Sequence, residues 1–145
     1  MTEPERRLQP GEVEGLVARP LAGRTLGTRE AGGFVLAEWS DDGGRPGMPI
    51  APPHVHLDED EAWIVLEGRL GFRLGDRAID AEPGTAVFGP RGLAHTYWNP
   101  QPSLARYLLV MGSRTSALLE ALHDGTPRDR DEMVELFRLH GVRLL

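Results

Sequence analysis

Short apolar runs, cut by glycine and proline at intervals of roughly 8 to 12 residues, dominate this chain, and they predict many short strands rather than long helices. Phe34, Leu36 and Glu38 alternate with Val35, Ala37 and Trp39, so that segment presents two distinct faces. Leu70, Phe72 and Leu74 alternate with Gly71 and Arg73, which turns the arginine outward and the apolar set inward. The same reading predicts strands near 13–18, 24–29, 33–40, 53–57, 61–67, 69–74, 77–81, 85–88, 94–99 and 105–111. Many short strands at even spacing define an all-β barrel or sandwich. The run from Tyr107 to Met111 is apolar on both faces, so its inward face is not readable from the pattern.

After about residue 112 the pattern changes. Ser116 to His123 is a short helix candidate. Thr126 then offers an N-cap, Pro127 a first helical position and Asp129 an acidic residue at N3, close to a capping box. Met133, Leu136, Phe137 and His140 follow at helical spacing, and Gly141 is a C-terminal stop. The chain thus divides into N-terminal strands (1–32), a barrel (33–112) and C-terminal helices packed outside it (113–145).

Composition narrows the chemistry. At 145 residues the chain buries a sizeable core in one domain. It has no cysteine, so disulfides and thiolate ligands are excluded and any metal would bind through nitrogen and oxygen. All 16 basic residues are arginine, which removes lysine Schiff-base catalysis. A net charge of −6 argues against nucleic-acid or anionic-membrane partners. Neither a secretory pattern nor an apolar run of about 20 residues is present, so the expectation is a cytoplasmic protein.

Two stretches carry candidate chemistry. In an extended strand, His54 and His56 project to the same side, aiming two imidazoles at one point while Val55 faces away. Glu61 follows a Leu57-Asp58-Glu59-Asp60 turn and opens the apolar run Ala62 to Leu66. It shares a face with Trp63 and Val65, so if Trp63 points into the barrel Glu61 does too, and Asp60 points away. Downstream, Pro90-Arg91-Gly92 leads to His95, Tyr97 and Asn99. Imidazole and carboxylate together suit iron, manganese, nickel, copper or zinc, without selecting among them. Tyr97 shares a face with His95 and is available as proton donor, as a hydrogen-bonding group for a substrate, or as packing. Trp63, Phe72, Phe88 and Met111 either line a substrate pocket with Tyr97 or simply fill the core. Asn99 shapes a turn, Arg91 is an exposed charge, and His123 and His140 lack any partner at ligand spacing.

These residues resemble the two motifs of the cupins, small β-barrels of the double-stranded β-helix type. The first motif (His-x-His, three or four residues, Glu, six residues, Gly) is met by His54, His56, Glu61 and Gly68. The second (Gly, five residues, Pro-x-Gly, two residues, His, three residues, Asn) is met by Gly84, Pro90, Gly92, His95 and Asn99. One departure is small: six residues rather than five separate Gly47 from His54, in a proline-rich approach. The resemblance covers residues 33–112.

It implies an all-β cupin jelly-roll barrel with a short C-terminal helical segment, holding one divalent transition metal on His54, His56, Glu61 and His95. It implies a metal-dependent enzyme for a small enolisable or phenolic substrate, with open metal positions for that substrate and with Glu61 as ligand or as base. With a redox-active ion the chemistry resembles that of the quercetin-cleaving dioxygenases; with zinc, that of the cupin polyketide cyclases and sugar isomerases. A barrel that only binds a small molecule is the third class, since fold does not fix function. A homodimer is the expected state, residues 13–29 adding strands to a neighbour's sheet.

Overall fold

The computed structural model describes residues 7, 9–11, 25–26 and 33–145. The strand expected at 13–18 and the dimer arm lie outside the described residues, apart from the short strand β1 (Thr25–Leu26). The barrel continues through β2 (Val35–Asp41), β3 (Pro49–His56), β4 (Glu61–Glu67), β5 (Leu70–Leu74), β6 (Arg77–Ala81), β7 (Ala86–Gly89), β8 (His95–Trp98) and β9 (Ala105–Met111). Helices α1 (Ser113–Leu122) and α2 (Arg130–Leu139) follow, and the chain ends in β10 (Val142–Leu144).

The strands form two five-stranded antiparallel sheets, in the orders β1-β2-β9-β4-β7 and β10-β3-β8-β5-β6. Alternation decides what each contributes to the space between them. Val35 and Ala37 from β2, Trp63 and Val65 from β4, Leu70 and Phe72 from β5, and Tyr107, Leu109 and Met111 from β9 all point inward and are buried. Register thus resolves the ambiguous run in β9, because Trp63 pairs with Leu109 and Ala37 with Leu109 across the two neighbouring strands.

Strand β3 begins at Pro49, earlier than the expected position 53. Prolines donate no ladder bond, and the pairing with β8 shifts register twice between Pro49 and His54. Their carbonyls are still used: Pro53 O accepts from the Leu145 amide at 3.0 Å. Gly68 turns β4 into β5 at φ 73°, and a Cβ there would overlap the Leu104 carbonyl, so no other residue fits.

The C-terminal segment closes one end of the barrel. Leu118, Phe137 and Val142 form a second buried cluster, with Leu122, Met133, Leu136 and Leu144 packed against it. The cap of α2 lies three residues later than expected: Asp129, not Thr126, is the N-cap, and Glu132 completes the capping box, each side chain taking the other's backbone N–H. Proline at 127 therefore precedes the helix instead of opening it. Gly141, at φ 74°, does end the helical segment. The segment is not purely helical, because β10 pairs with β3, setting Val142 opposite His56 and Leu144 opposite His54.

Replacing Phe72, which is fully buried, with alanine is expected to lower unfolding free energy by about 3–5 kcal/mol in a urea titration. Leu139→Ala, at a side chain 59% exposed, is expected to change it by less than about 0.5 kcal/mol.

Candidate metal centre

Four buried side chains meet between the two sheets at the end that α1 and α2 cover. His54 and His56 come from the end of β3, His95 from the start of β8, directly opposite His54 in the ladder, and Glu61 from the first position of β4 on the facing sheet. Glu61, Trp63 and Val65 share the inward face as the alternation requires, and Asp60 points out. The ligand atoms of the four residues lie within 4.8 Å of one another. His54 Nε2 is 3.2 Å from His56 Nε2, and Glu61 Oε2 is 2.9 Å from His56 Nε2 and 3.1 Å from His95 Nε2.

Outer contacts fix which nitrogen of each ring faces inward. His54 Nδ1 donates to Pro52 O at 2.6 Å and His95 Nδ1 to Leu93 O at 3.2 Å, since a carbonyl only accepts. Thr115 Oγ1 donates to Glu59 Oε1 at 2.8 Å, so its oxygen accepts from His56 Nδ1 at 3.2 Å. All three Nε2 atoms are thereby left to converge on the Glu61 carboxylate. The contacts of His56 and His95 to Glu61 bring two imidazole nitrogens and a carboxylate oxygen to one point, an arrangement that a metal ion completes. Two ligands at right angles on an ion about 2.1 Å away stand about 3.0 Å apart, close to the observed separations. The donor set and its spacing fit one divalent transition metal.

Electrostatics agree with that fit. Burial is the chief cause that lowers the His54 pKa from its usual 6.5 to about 4, so the ring keeps its inward lone pair at neutral pH. Burial pushes the Glu61 carboxyl up, but the contacts to His56 and His95 together outweigh it and hold the group at about 2. Burial and the neighbouring Tyr107 push the Tyr97 phenol well above 10. Tyr97 stays neutral, its hydroxyl 3.0 Å from that of Tyr107.

A cavity of about 130 Å³ opens onto His54, His56 and Glu61. Its walls are mostly apolar: Trp39, Ile50, Tyr97, Tyr107 and Leu109 from the barrel, and Leu118, Leu119, Leu122 and Phe137 from the helices, with His123 beside Trp39 at a ring separation of 5.0 Å. Of the five residues expected to line a pocket, Tyr97 lines this cavity, while Phe88 and Met111 line a separate cleft with Ala62 and Arg91. Trp63 and Phe72 are fully buried behind Tyr97; Trp63 packs 5.4 Å from His95 and 5.5 Å from Tyr97, backing both side chains. Met111 is buried in the core and does not reach the cavity. Phe88 is 59% exposed on the outer face. In the four-residue β7, Val87 pairs with the inward Trp63, and alternation then turns Phe88 out.

The helix residues of the cavity wall escape sequence reasoning because nothing local reports what α1 packs on. Trp39 had a signal, since it shares the inward face of β2 with Val35 and Ala37. Arg91 is exposed as expected, but it also grips Asp60 through its backbone N–H, Nε and Nη2 at 2.9–3.1 Å, tying the loop before His95 to the turn before Glu61. Asn99 does organise a turn: it accepts from the Gln101 amide and donates to Ser103 O and Asp41 Oδ1.

Residues 45–111, which include all four converging side chains, match the cupin domain family. Over those residues the chain is similar to cupin domains, and its two antiparallel sheets have the double-stranded β-helix arrangement. Among solved structures, an uncharacterised double-stranded β-helix protein of Klebsiella pneumoniae is similar over 75% of this chain and 91% of its own, at 22% identity and a TM-score of 0.50. That likeness is one of fold. The polyketide cyclase RemF of Streptomyces resistomycificus is 34% identical over 55% of this chain and 54% of its own, with a TM-score of 0.47, so this chain spans about half of its length. A Thermus thermophilus protein is 29% identical over 55% of this chain and 71% of its own, with a TM-score of 0.48. No protein of curated function matches. Among the described residues, no helix is long and apolar enough to cross a membrane.

The pKa directions set an acid response for the metal-free protein. His54 has a folded pKa below its unfolded value, so its contribution is complete above about 6.5 and is lost as pH falls toward 4; that of Glu61 is lost between about 4.5 and 2. Chelator-treated protein is expected to lose stability from pH 6.5 downward in urea titrations. His54→Ala is expected to flatten the curve between pH 6.5 and 4, and an unchanged slope there would contradict the assignment.

Proposed function

We propose that this chain is a metal-dependent cupin enzyme acting on a small enolisable or phenolic compound no larger than about one ring, with dioxygenase-like chemistry. The observation that carries the reading is the largely apolar, partly open cavity that ends on His54, His56 and Glu61. A cavity of about 150 Å³ holds a benzene ring, and this one is about 130 Å³.

A metal on His54, His56, Glu61 and His95 would supply a Lewis acid that lowers the pKa of a nearby substrate hydroxyl, stabilises the enolate and, if redox-active, opens a route to oxygen. The protein's own residues do the rest. Glu61, held at about 2, is a poor proton acceptor near neutral pH, which favours its role as ligand over that of base. Tyr97, kept neutral, offers a hydrogen bond from the wall and not a proton. Trp39 lines the same wall, and its indole N–H is buried with no hydrogen-bond partner, a group that a small turn of the ring would offer to a substrate oxygen. Leu118, Leu119 and Phe137 exclude water from the reacting end.

Protein purified without added metal is expected to contain close to one transition-metal ion per chain, and His54→Ala close to none. Oxygen-electrode assays with catechol-sized enediols and 1,3-diketones are expected to show uptake. Turnover without oxygen uptake would replace the dioxygenase by a non-redox cyclase or isomerase; metal without any turnover would leave a ligand-binding barrel. Trp39→Phe keeps the ring and removes the N–H, and is expected to raise KM by about 2- to 12-fold with little change in kcat, the size of one neutral hydrogen bond.

A further inference from the structure

The three imidazoles are not anchored alike. His54 and His95 each donate to a carbonyl two residues upstream, at Pro52 and Leu93, so their orientation is set within the barrel. His56 alone leans on a residue from outside it, Thr115 in the first turn of α1. That hydroxyl is held in turn by Glu59, whose carboxylate also accepts from the backbone N–H of Thr115 at 2.8 Å and of Arg114 at 3.2 Å. Glu59 thereby supplies the N-terminal cap that α1 lacks, because its N-cap position is Gly112, with no side chain to offer. Glycine at 112 leaves room for the Glu59 carboxylate, which a Cβ there would overlap. Arg114 adds an ion pair to Asp58 and a bond to Leu139 O at 3.2 Å, which joins the same turn to the end of α2.

We propose that Thr115 and Glu59 are positioning residues of the metal centre, so that docking of α1 and metal binding at His56 strengthen each other. The inference rests on the metal reading above. Its physical basis is that a ligating imidazole binds best when its outer N–H is held, and removing such a partner typically costs 10- to 100-fold in metal affinity. Linkage is reciprocal: whatever the docked helix adds to metal affinity, bound metal adds to helix docking. Because α1 also walls the cavity, loading the metal closes the pocket around it.

The test uses the full chain and Co(II), its affinity measured by competition with a chromophoric chelator and its coordination followed by visible absorption. Thr115→Val removes the hydroxyl but keeps the backbone bond to Glu59, so the helix cap survives. It is expected to weaken Co(II) binding by about 10- to 100-fold, and Thr115→Ser is expected to restore it. Hydrogen exchange on the wild type, which needs no variant to fold, is expected to show slower exchange of α1 amides with Co(II) bound. Wild-type affinity in Thr115→Val, or α1 exchange unmoved by Co(II), would overturn this inference while leaving the metal site standing. A wild type that binds no Co(II) would overturn both.

Discussion

Three imidazoles and one carboxylate converge in the interior of the barrel, two of the rings within hydrogen-bonding distance of Glu61 and the third against His56, and such a cluster suits a cation among them. Pro52 O, Leu93 O and the Thr115 hydroxyl each hold an outer nitrogen, so every inner nitrogen faces Glu61. A divalent ion held by these four side chains would supply that charge. Much of the local architecture serves this convergence: the ladder places His95 opposite His54, β10 pairs with His54 and His56 from the other side, and Trp63 fills the space behind His95.

The same residues place the apolar cavity on one side of the site. Phe72, Trp63 and Leu70 fill the barrel behind it, leaving the cavity on the side of α1 and α2. The helices are therefore part of the pocket wall and, through Thr115, part of the metal centre's support. The turn from 57 to 60 links these roles, because Asp60 holds the loop before His95 while Glu59 and Asp58 hold α1. The Asp60 and Arg91 pair is exposed and contributes positioning more than stability.

Three of the four candidate ligands were legible from strand alternation, since His54 and His56 must share a face and the burial of Trp63 brings Glu61 inward with it, and His95 joined them through the resemblance to the second cupin motif. The barrel class was legible from glycine and proline punctuation, and most of the strand positions in the described residues follow it. Phe88 was not, because β7 is apolar on both faces and only its pairing with Trp63 chooses between them. Strand β10 is three residues long, too short for a period to register. Two caps competed for α2, and Asp129 with Glu132 completes a reciprocal box that Thr126 does not form. The cavity wall depends on how α1 and α2 pack against the barrel, a long-range outcome that local pattern does not encode.

Anomalous diffraction from crystals of the protein grown with Co(II), recorded on both sides of the cobalt absorption edge, tests the central claim most directly. The account predicts one strong peak about 2.0–2.2 Å from the Nε2 atoms of His54, His56 and His95 and a Glu61 oxygen. A peak elsewhere, or no peak with the four side chains hydrogen-bonded among themselves, would contradict it.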